Sequence, residues 1–509
     1  MADYQKEFQL TKIIATLGPA SDDLETIVRL IEEGASTFRI NFSHGTFEEY
    51  EGLLNTVRRA SEKTGLPTAV LGDLSGPKIR VGQVVVNGVC LEDGGVVEFK
   101  KQPVVTGSPA TGDTDRVVFS TNYPRFIEEV KPGQRILLDD GNIQLRCIEK
   151  SGHGENQTLT CKIIHGGLIT SQKGINLPDT ELSTPALTER DYQCANFAVE
   201  KGFDFLALSF VSSASDVRQL KDHLRKRGAR NGESDTETPR KFIPIISKIE
   251  RPQAMADIEA IVNETDGIMV ARGDLGVEMD LAEVPVLQKQ IVSLCHKFGK
   301  PVIVATQMLQ SMIDSPSPTR AEVSDVANAI FEGVDAVMLS GETAVGKWPV
   351  EAVTMMSRIV RLTNEHVQKQ NVETRPSTQL RSSKYRTAAL AHGVNVIMRD
   401  IEAKLVAVWS ASGGGPVYLS RNRLPRPIIA CSDDPAALRH MAIMYGLKPF
   451  FMERPASTAA FIVRVDRLIQ ENGWASKGDP IVVVSGEPMG QVGRTNKLSI
   501  HYLGDSGET

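Results

Sequence analysis

The sequence predicts a (β/α)8 barrel with a small all-β unit inserted after its third strand and a doubly wound α/β unit after its eighth. Three observations predict it. Short apolar runs recur at residues 12–16, 37–41, 68–73, 203–209, 242–248, 267–272, 301–306 and 334–340, with helical patterns between them. Charged and hydroxyl side chains collect at the carboxyl ends of these runs. The spacing breaks once, between the third and fourth runs. Eight β/α units with apolar strands and a polar rim describe a TIM barrel.

Along the chain, Gly34, Gly202 and Gly333 each follow a helical stretch, where a left-handed cap favours glycine. The second run leads into Arg39, Asn41 and Ser43, and the third ends in Asp73. Residues 77–176 change character: VVVNGVCLEDGGVVEFK, RILLDDGNIQLRCIEK and TLTCKIIHGGLIT are valine-rich alternating segments broken by Gly, Asn and Asp. That is β-hairpin material, emerging from the rim where a lid would sit.

The fifth run ends in Lys248 and Glu250, a helical pattern covers 253–262, and the sixth run ends in Arg272, Gly273 and Asp274. Parallel strands joined by a helix bring their carboxyl ends to one rim, so Lys248, Glu250 and Asp274 are expected to meet. A lysine beside two carboxylates predicts a divalent metal and a fixed cation handling an anionic substrate. Thr306, then Ser340 and Glu342, close the rim.

After Trp348-Pro349 a long helix is expected to about residue 370, then a polar linker at 371–385. The tail reads as helix 387–398, strands 405–409 and 428–431, helices 435–444 and 457–471, and strand 480–485. The expected units are a barrel over 1–76 plus 177–367, a β lid over 77–176, and an α/β unit over 368–509.

The bulk numbers restrict partners. Of 509 residues, 41% are hydrophobic, enough for several large cores, and the net charge of −6 argues against nucleic acid or an anionic membrane. The six cysteines (90, 147, 161, 194, 295, 431) show no metal-ligand spacing, which reads as a reduced, cytoplasmic protein. MADYQKEF is too polar for a signal peptide, and no apolar run reaches the ~18 residues of a membrane span.

The runs TKIIATLGPAS, FRINFSHG, ISKIERPQ, MVARGDLGVE, IVATQML and MLSGETAVGKWPVEAV, in that order, resemble the pyruvate kinase family. The resemblance spans barrel, lid and C-terminal unit. It implies transfer of phosphoryl from phosphoenolpyruvate to ADP, giving ATP and pyruvate, with Mg²⁺ (or Mn²⁺ in its stead) as cofactor and a homotetramer as the assembly. Glu250 and Asp274 match the family's metal ligands, Lys248 the residue that stabilises the transferring phosphoryl, and Arg39 a phosphate-binding arginine. The backbone at Ala271, Arg272 and Gly273, with Thr306, matches contacts to the substrate carboxylate. Thr306, Ser340 and Glu342 stand where a proton relay to the enolate would run. Asn41, His44, Arg80 and Lys173 fall on the nucleotide side.

One departure stands out. Asn41, Ser43, Asp73 and the Leu74 carbonyl match a monovalent-cation site, yet Lys78 stands where K⁺-requiring members have glutamate. Its ammonium would supply the charge that K⁺ otherwise brings, so activity is expected without K⁺. In the C-terminal unit, Ser410, Ser412, Gly413, Gly414 and Gly415 resemble the family's phosphate cradle for a sugar-phosphate or nucleotide effector, with Arg494 in the loop that closes over it. Gly341 to Lys347 nearly spells a P-loop, but Trp348 replaces the required Ser/Thr, and the reading is rejected. Two alternatives remain from sequence: a Mg²⁺-dependent lyase of pyruvate enolate, and a silent phosphometabolite-binding protein.

Overall fold

The computed structural model describes residues 8–107, 116–230, 243–369 and 385–505. Phe242, and all of the expected linker except Tyr385, lie outside them. Eight strands close into a barrel: β1 (Lys12–Thr16), β2 (Ala35–Asn41), β3 (Ala69–Asp73), β4 (Phe205–Leu208), β5 (Ile245–Ile249), β6 (Gly267–Ala271), β7 (Val302–Ala305) and β8 (Ala336–Leu339). Each pairs in parallel with its sequence neighbour, and β8 returns to β1. Every expected run contributes a strand. Alternate side chains point to opposite faces, so Ile14, Leu71, Phe205, Met269 and Met338 fill the barrel while Ile13, Val70, Val270 and Val337 pack outward under the helices.

The helices start and stop for local reasons. Thr46, Thr188 and Thr319 cap their helices in reciprocal boxes with Glu49, Asp191 and Glu322. Gly65, Gly202 and Gly299 supply left-handed ends. Two expectations are corrected at the rim. The helix expected over 253–262 is a 3₁₀ stretch, Pro252–Asp257, running into an α-helix at Ile258–Glu264. Arg272 does not end a strand but opens a helix, Arg272–Glu278, that follows β6 without a loop. Two glycines weaken the helical signal of that segment, and its surroundings decide it.

Between β3 and β4 lies a six-stranded sheet: Ile175–Asn176, Arg135–Leu138, Ile143–Ser151, Thr158–His165, Val96–Lys100 and Val117–Phe119, in spatial order. It has its own core around Phe99, Phe119, Phe126, Leu145 and Leu159. After the long helix Pro349–Lys369 comes a five-stranded sheet ordered Leu447–Phe451, Ile428–Ser432, Val406–Trp409, Pro480–Gly486 and Thr495–Tyr502. The first four are parallel and the last antiparallel. Both edge strands escape a sequence reading: Pro449 argues against a strand, and Thr495–Tyr502 is too polar to register as one. Among the described residues, no helix is long and apolar enough to cross a membrane.

The C-terminal unit stops the amino end of the barrel. Ala442 and Ile443 join the interior cluster beside Ile14, Ala69, Phe205 and Ala336. Around this plug, Arg439 pairs with Asp204 at 2.7 Å and Arg423 with Asp335 at 3.1 Å. The rim with the charged side chains is at the other end. Truncating the plug, Ile443→Ala, is expected to cost about 2–4 kcal/mol, read as a lower thermal unfolding midpoint; an unchanged midpoint would show that the plug is not packed into the barrel.

Candidate active site

Asp73, at the end of β3, is the most crowded carboxylate of the rim. Arg39, on β2, approaches its Oδ2 through both Nε and a terminal nitrogen at 2.6 Å. Lys248, on β5, approaches Oδ1 at 3.3 Å. The Arg39 guanidinium also reaches Thr16 Oγ1 at 3.3 Å, and that hydroxyl donates to the Leu339 carbonyl at 2.9 Å. Four adjacent strands, β8, β1, β2 and β3, are thereby tied at their carboxyl ends.

Lys248 Nζ has three donors and three acceptors around it: Asp73, Glu250 Oε1 at 2.7 Å, and Ser209 Oγ at 2.8 Å. Ser209 passes its own proton to the Leu74 carbonyl at 2.7 Å. Glu250 Oε2 accepts the Phe210 N–H at 2.7 Å. Lys248 and Glu250 are 9% and 1% exposed, so the ammonium is held rigidly rather than trailing in solvent. Burial alone would pull the lysine down, but the charges of Asp73 and Glu250 outweigh it and keep Lys248 protonated well above its ordinary range. Asp73 moves oppositely: burial pushes it up, and Lys248 and Arg39 together hold it below the ordinary carboxylate range.

Glu250 is pushed up, first by burial and then by the charge of Asp274, with Lys248 opposing. Asp274 sits in the first turn of the helix that follows β6. Glu250 thus touches Lys248 directly, while Asp274 acts on both through its charge from beyond ion-pair distance. Among the described residues, no three acidic, histidine or cysteine side chains form a cage of their own. A pair of carboxylates suits Mg²⁺, which completes its shell from water and substrate oxygens.

Beside this lies the Gly273–Thr306 contact. Thr306, ending β7, has φ of +68°, a left-handed conformation unusual for a β-branched residue and typical of functional sites. Its Oγ1 accepts the Gly273 N–H at 2.6 Å and donates to the Ala305 carbonyl at 2.6 Å. A Cβ on residue 273 would lie 3.3 Å from that hydroxyl, a tight contact that glycine relieves. Arg272 turns away to pair with Asp325 at 2.7 Å. Glu342, fully buried, accepts the Ser340 N–H at 2.7 Å and the Leu309 N–H at 3.0 Å, which fixes the loop after β8. Ser340 Oγ is buried without a hydrogen-bond partner among the described residues.

Between rim and inserted sheet runs a cleft of about 690 Å³, lined by His44, Lys78, Arg80, Lys173, Asp274 and Glu278 among others. Lys173 pairs with Asp139 at 2.7 Å, and Arg80 donates to the Gln172 carbonyl at 2.8 Å. Burial, then the charges of Lys78, Arg80 and Arg39, lower the pKa of His44. The charge of Lys78 reaches Asp73 as well. Asn41 Oδ1 is occupied by the Ser43 N–H at 3.1 Å. In the C-terminal unit, Ser410, Ser412, Gly414, Gly415 and Arg494 line a separate cavity of about 210 Å³, with Gly413 in left-handed conformation ahead of the helix Gly414–Arg421.

Two rim residues that matter were absent from the sequence reading, Thr16 and Ser209. Thr16 ends β1 and Ser209 directly follows β4, and that position was their signal; as isolated hydroxyls they carry no other.

Residues 8–353 match the family profile described as "Pyruvate kinase, barrel domain", and residues 388–501 match "Pyruvate kinase, alpha/beta domain". The chain belongs to the pyruvate kinase family. A pyruvate kinase from Mycobacterium intracellulare is 39% identical over 494 residues, covering 97% of this chain and 98% of that protein. One from Geobacillus stearothermophilus is 36% identical over 500 residues, covering 97% of this chain and 80% of that protein. The crystal structure of a pyruvate kinase from Cryptosporidium parvum superposes with a TM-score of 0.85 at 31% identity, covering 99% and 98% of the two chains. The chain is therefore an enzyme, a phosphotransferase on a TIM barrel.

The charge cluster makes a pH prediction with a definite sign. Because Asp73 is depressed in the folded state, its contribution is present above its unfolded value of about 3.9 and is lost as pH falls through the lower folded value. Lys248→Met removes that support and leaves Asp73 and Glu250 buried, raising the folded pKa of Asp73 and pushing that of Glu250, already above its unfolded value, higher still. The variant is expected to lose about 3–5 kcal/mol at neutral pH and to recover part of it on acidification towards about pH 5. Thermal unfolding midpoints measured across this range check it; parallel curves for both proteins would contradict the assignment.

Proposed function

We propose that this pyruvate kinase transfers phosphoryl from phosphoenolpyruvate to ADP, giving pyruvate and ATP, with the reaction centred on Lys248. The observation that carries the reading is the three-point anchorage of the Lys248 ammonium beside Glu250 and Asp274. A cation held this way stabilises charge spread over the transferring phosphoryl oxygens at no cost in reorganisation. Arg39 serves as the second cation for the phosphate, its guanidinium oriented by Asp73. Glu250 and Asp274 are the residues that would hold Mg²⁺, or Mn²⁺ in its place. When bound, that ion supplies charge neutralisation to phosphate and enolate oxygens.

The substrate carboxylate fits against the backbone of Ala271, Arg272 and Gly273, competing with Thr306 for the Gly273 N–H. Thr306 released from that bond, and Ser340 with its unpaired hydroxyl, can pass a proton through water to the enolate carbon. Glu342 positions Ser340 without touching substrate. Arg80 and Lys173, with His44 and Asn41 at the margin, take the nucleotide phosphates, Lys173 exchanging Asp139 for them. Closure of the inserted sheet, residues 77–176, would exclude water from the cleft between barrel and lid.

Lys78 replaces monovalent cation. Its charge acts on Asp73, the acid that with Asn41, Ser43 and the Leu74 carbonyl would otherwise serve K⁺, and a second cation there would be repelled. The Ser410–Gly415 turn with Arg494 is the effector site, suited to a phosphate by its backbone amides and hydroxyls. On the family resemblance the enzyme works as a cytoplasmic homotetramer, its α/β unit over 368–509 being regulatory.

A lactate-dehydrogenase-coupled assay tests the core of this. Pyruvate is expected only when phosphoenolpyruvate and ADP are both present, with Lys248→Met lowering kcat by about 10²–10³-fold; ADP-independent pyruvate release would point instead to a lyase. Omitting K⁺ is expected to change the rate by no more than about twofold, under about half a kcal/mol in barrier, whereas Lys78→Glu creates a K⁺ requirement. A steep K⁺ requirement in the unaltered enzyme would overturn the role of Lys78.

A further inference from the structure

All six cysteines are free, and the fold brings two of them face to face. Cys147 lies in the strand Ile143–Ser151 and Cys161 in Thr158–His165, and the antiparallel register sets them directly opposite. The N–H of Cys147 goes to the Gln134 carbonyl at 2.9 Å and its carbonyl accepts from Gly133 at 2.8 Å, both on the far side of its strand. The cysteines therefore occupy a non-hydrogen-bonded site, where opposite Cα atoms come within about 4.5 Å. A disulfide spans Cα separations of about 4.4–6.8 Å, a range that such a site meets. Opposite residues share a face, here the closed core of the inserted sheet, where Cys147 and Cys161 are 2% and 0% exposed.

The two thiols are also chemically unequal. The facing Cys161 thiol, with help from the Lys150 ammonium and against burial, lowers the Cys147 thiol, while Cys161 is pushed far up by its neighbour and by burial. Cys147 is thus the better nucleophile, and Cys161, directly opposite it, is placed to reach the oxidised sulfur. Access comes from the hairpin end. The register slips immediately beyond Cys147, Ile148 there is 48% exposed, and the turn that joins the strands is exposed. Fraying of a hairpin from its turn is a low-energy opening.

We propose that Cys147 and Cys161 are a peroxide-responsive pair that closes a reversible disulfide across the inserted sheet. The Cys147 thiolate attacks a peroxide oxygen, forming the sulfenic acid, and the departing hydroxide takes up the thiol proton as water. The Cys161 thiolate then attacks the Cys147 sulfur, forming the S–S bond and expelling a second hydroxide, which leaves as water with the Cys161 proton. Two thiols are oxidised and one peroxide is reduced to two waters; a dithiol reverses the change by exchange. The staple locks the strand that follows the Asp139–Gly141 turn, whose aspartates line the catalytic cleft. The inference does not rest on the kinase mechanism.

Peptide mapping of the full chain after brief hydrogen peroxide treatment, alkylation and non-reducing digestion tests it. The expected product joins the peptides of Cys147 and Cys161, about 2 Da lighter than their sum, and disappears with dithiothreitol. In Cys161→Ser the cross-link is absent and Cys147 becomes reactive to dimedone. Should that variant fail to fold, the map of the unaltered chain decides alone. Recovery of both cysteines as alkylated thiols at every dose that oxidises the exposed Cys90 would overturn the proposal.

Discussion

The Asp73 carboxylate, buried at the end of the third barrel strand, is the constraint on which the active rim depends. An isolated charge in that position would be prohibitively expensive, so it exists only because Arg39 and Lys248 bracket it. The dependence runs both ways. Lys248 is itself almost fully buried, and it stays charged because Asp73 and Glu250 flank it. Removing any member leaves the others uncompensated, a penalty that exceeds the net worth of the intact pair. The cluster fixes an ammonium and a guanidinium against one carboxylate.

What surrounds the cluster keeps it at the rim. The barrel strands are buried along nearly their whole length, and their amino end is stopped by Ala442 and Ile443. The opposite end opens into the cleft between rim and inserted sheet. The helix Arg272–Glu278 is the second device at that end. By following β6 without a loop it turns Asp274 towards Glu250 and leaves the Gly273 amide against Thr306, whose left-handed backbone is the local strain this arrangement tolerates.

Much of this was legible in the sequence. Eight apolar runs with charged ends specify a parallel barrel, because strands buried on both faces must be apolar throughout and only their ends can carry chemistry. The meeting of Lys248 with Glu250 follows from their spacing, two residues apart at the end of the fifth strand and so on one face. Where legibility failed, the missing information was tertiary. Ser209 and Thr16 are single hydroxyls whose importance appears only when Lys248 and Arg39 reach them. Asp73 was read as a monovalent-cation ligand from resemblance, and no local pattern announces that two cations already hold it. The edge strands of the C-terminal sheet, one with Pro449 and one largely polar, lack the alternation that would mark them. Cys147 and Cys161 looked scattered because cross-strand pairing depends on register, which a count of spacings does not contain.

The central claim is that Glu250 and Asp274, braced against Lys248, form one divalent-cation site at the barrel mouth. Titration of the enzyme with Mn²⁺, following free ion by electron paramagnetic resonance, tests it most directly. The account predicts one principal site whose affinity falls by more than about tenfold in Glu250→Gln and in Asp274→Asn. Unchanged Mn²⁺ affinity in both variants, with the fold intact, would contradict it.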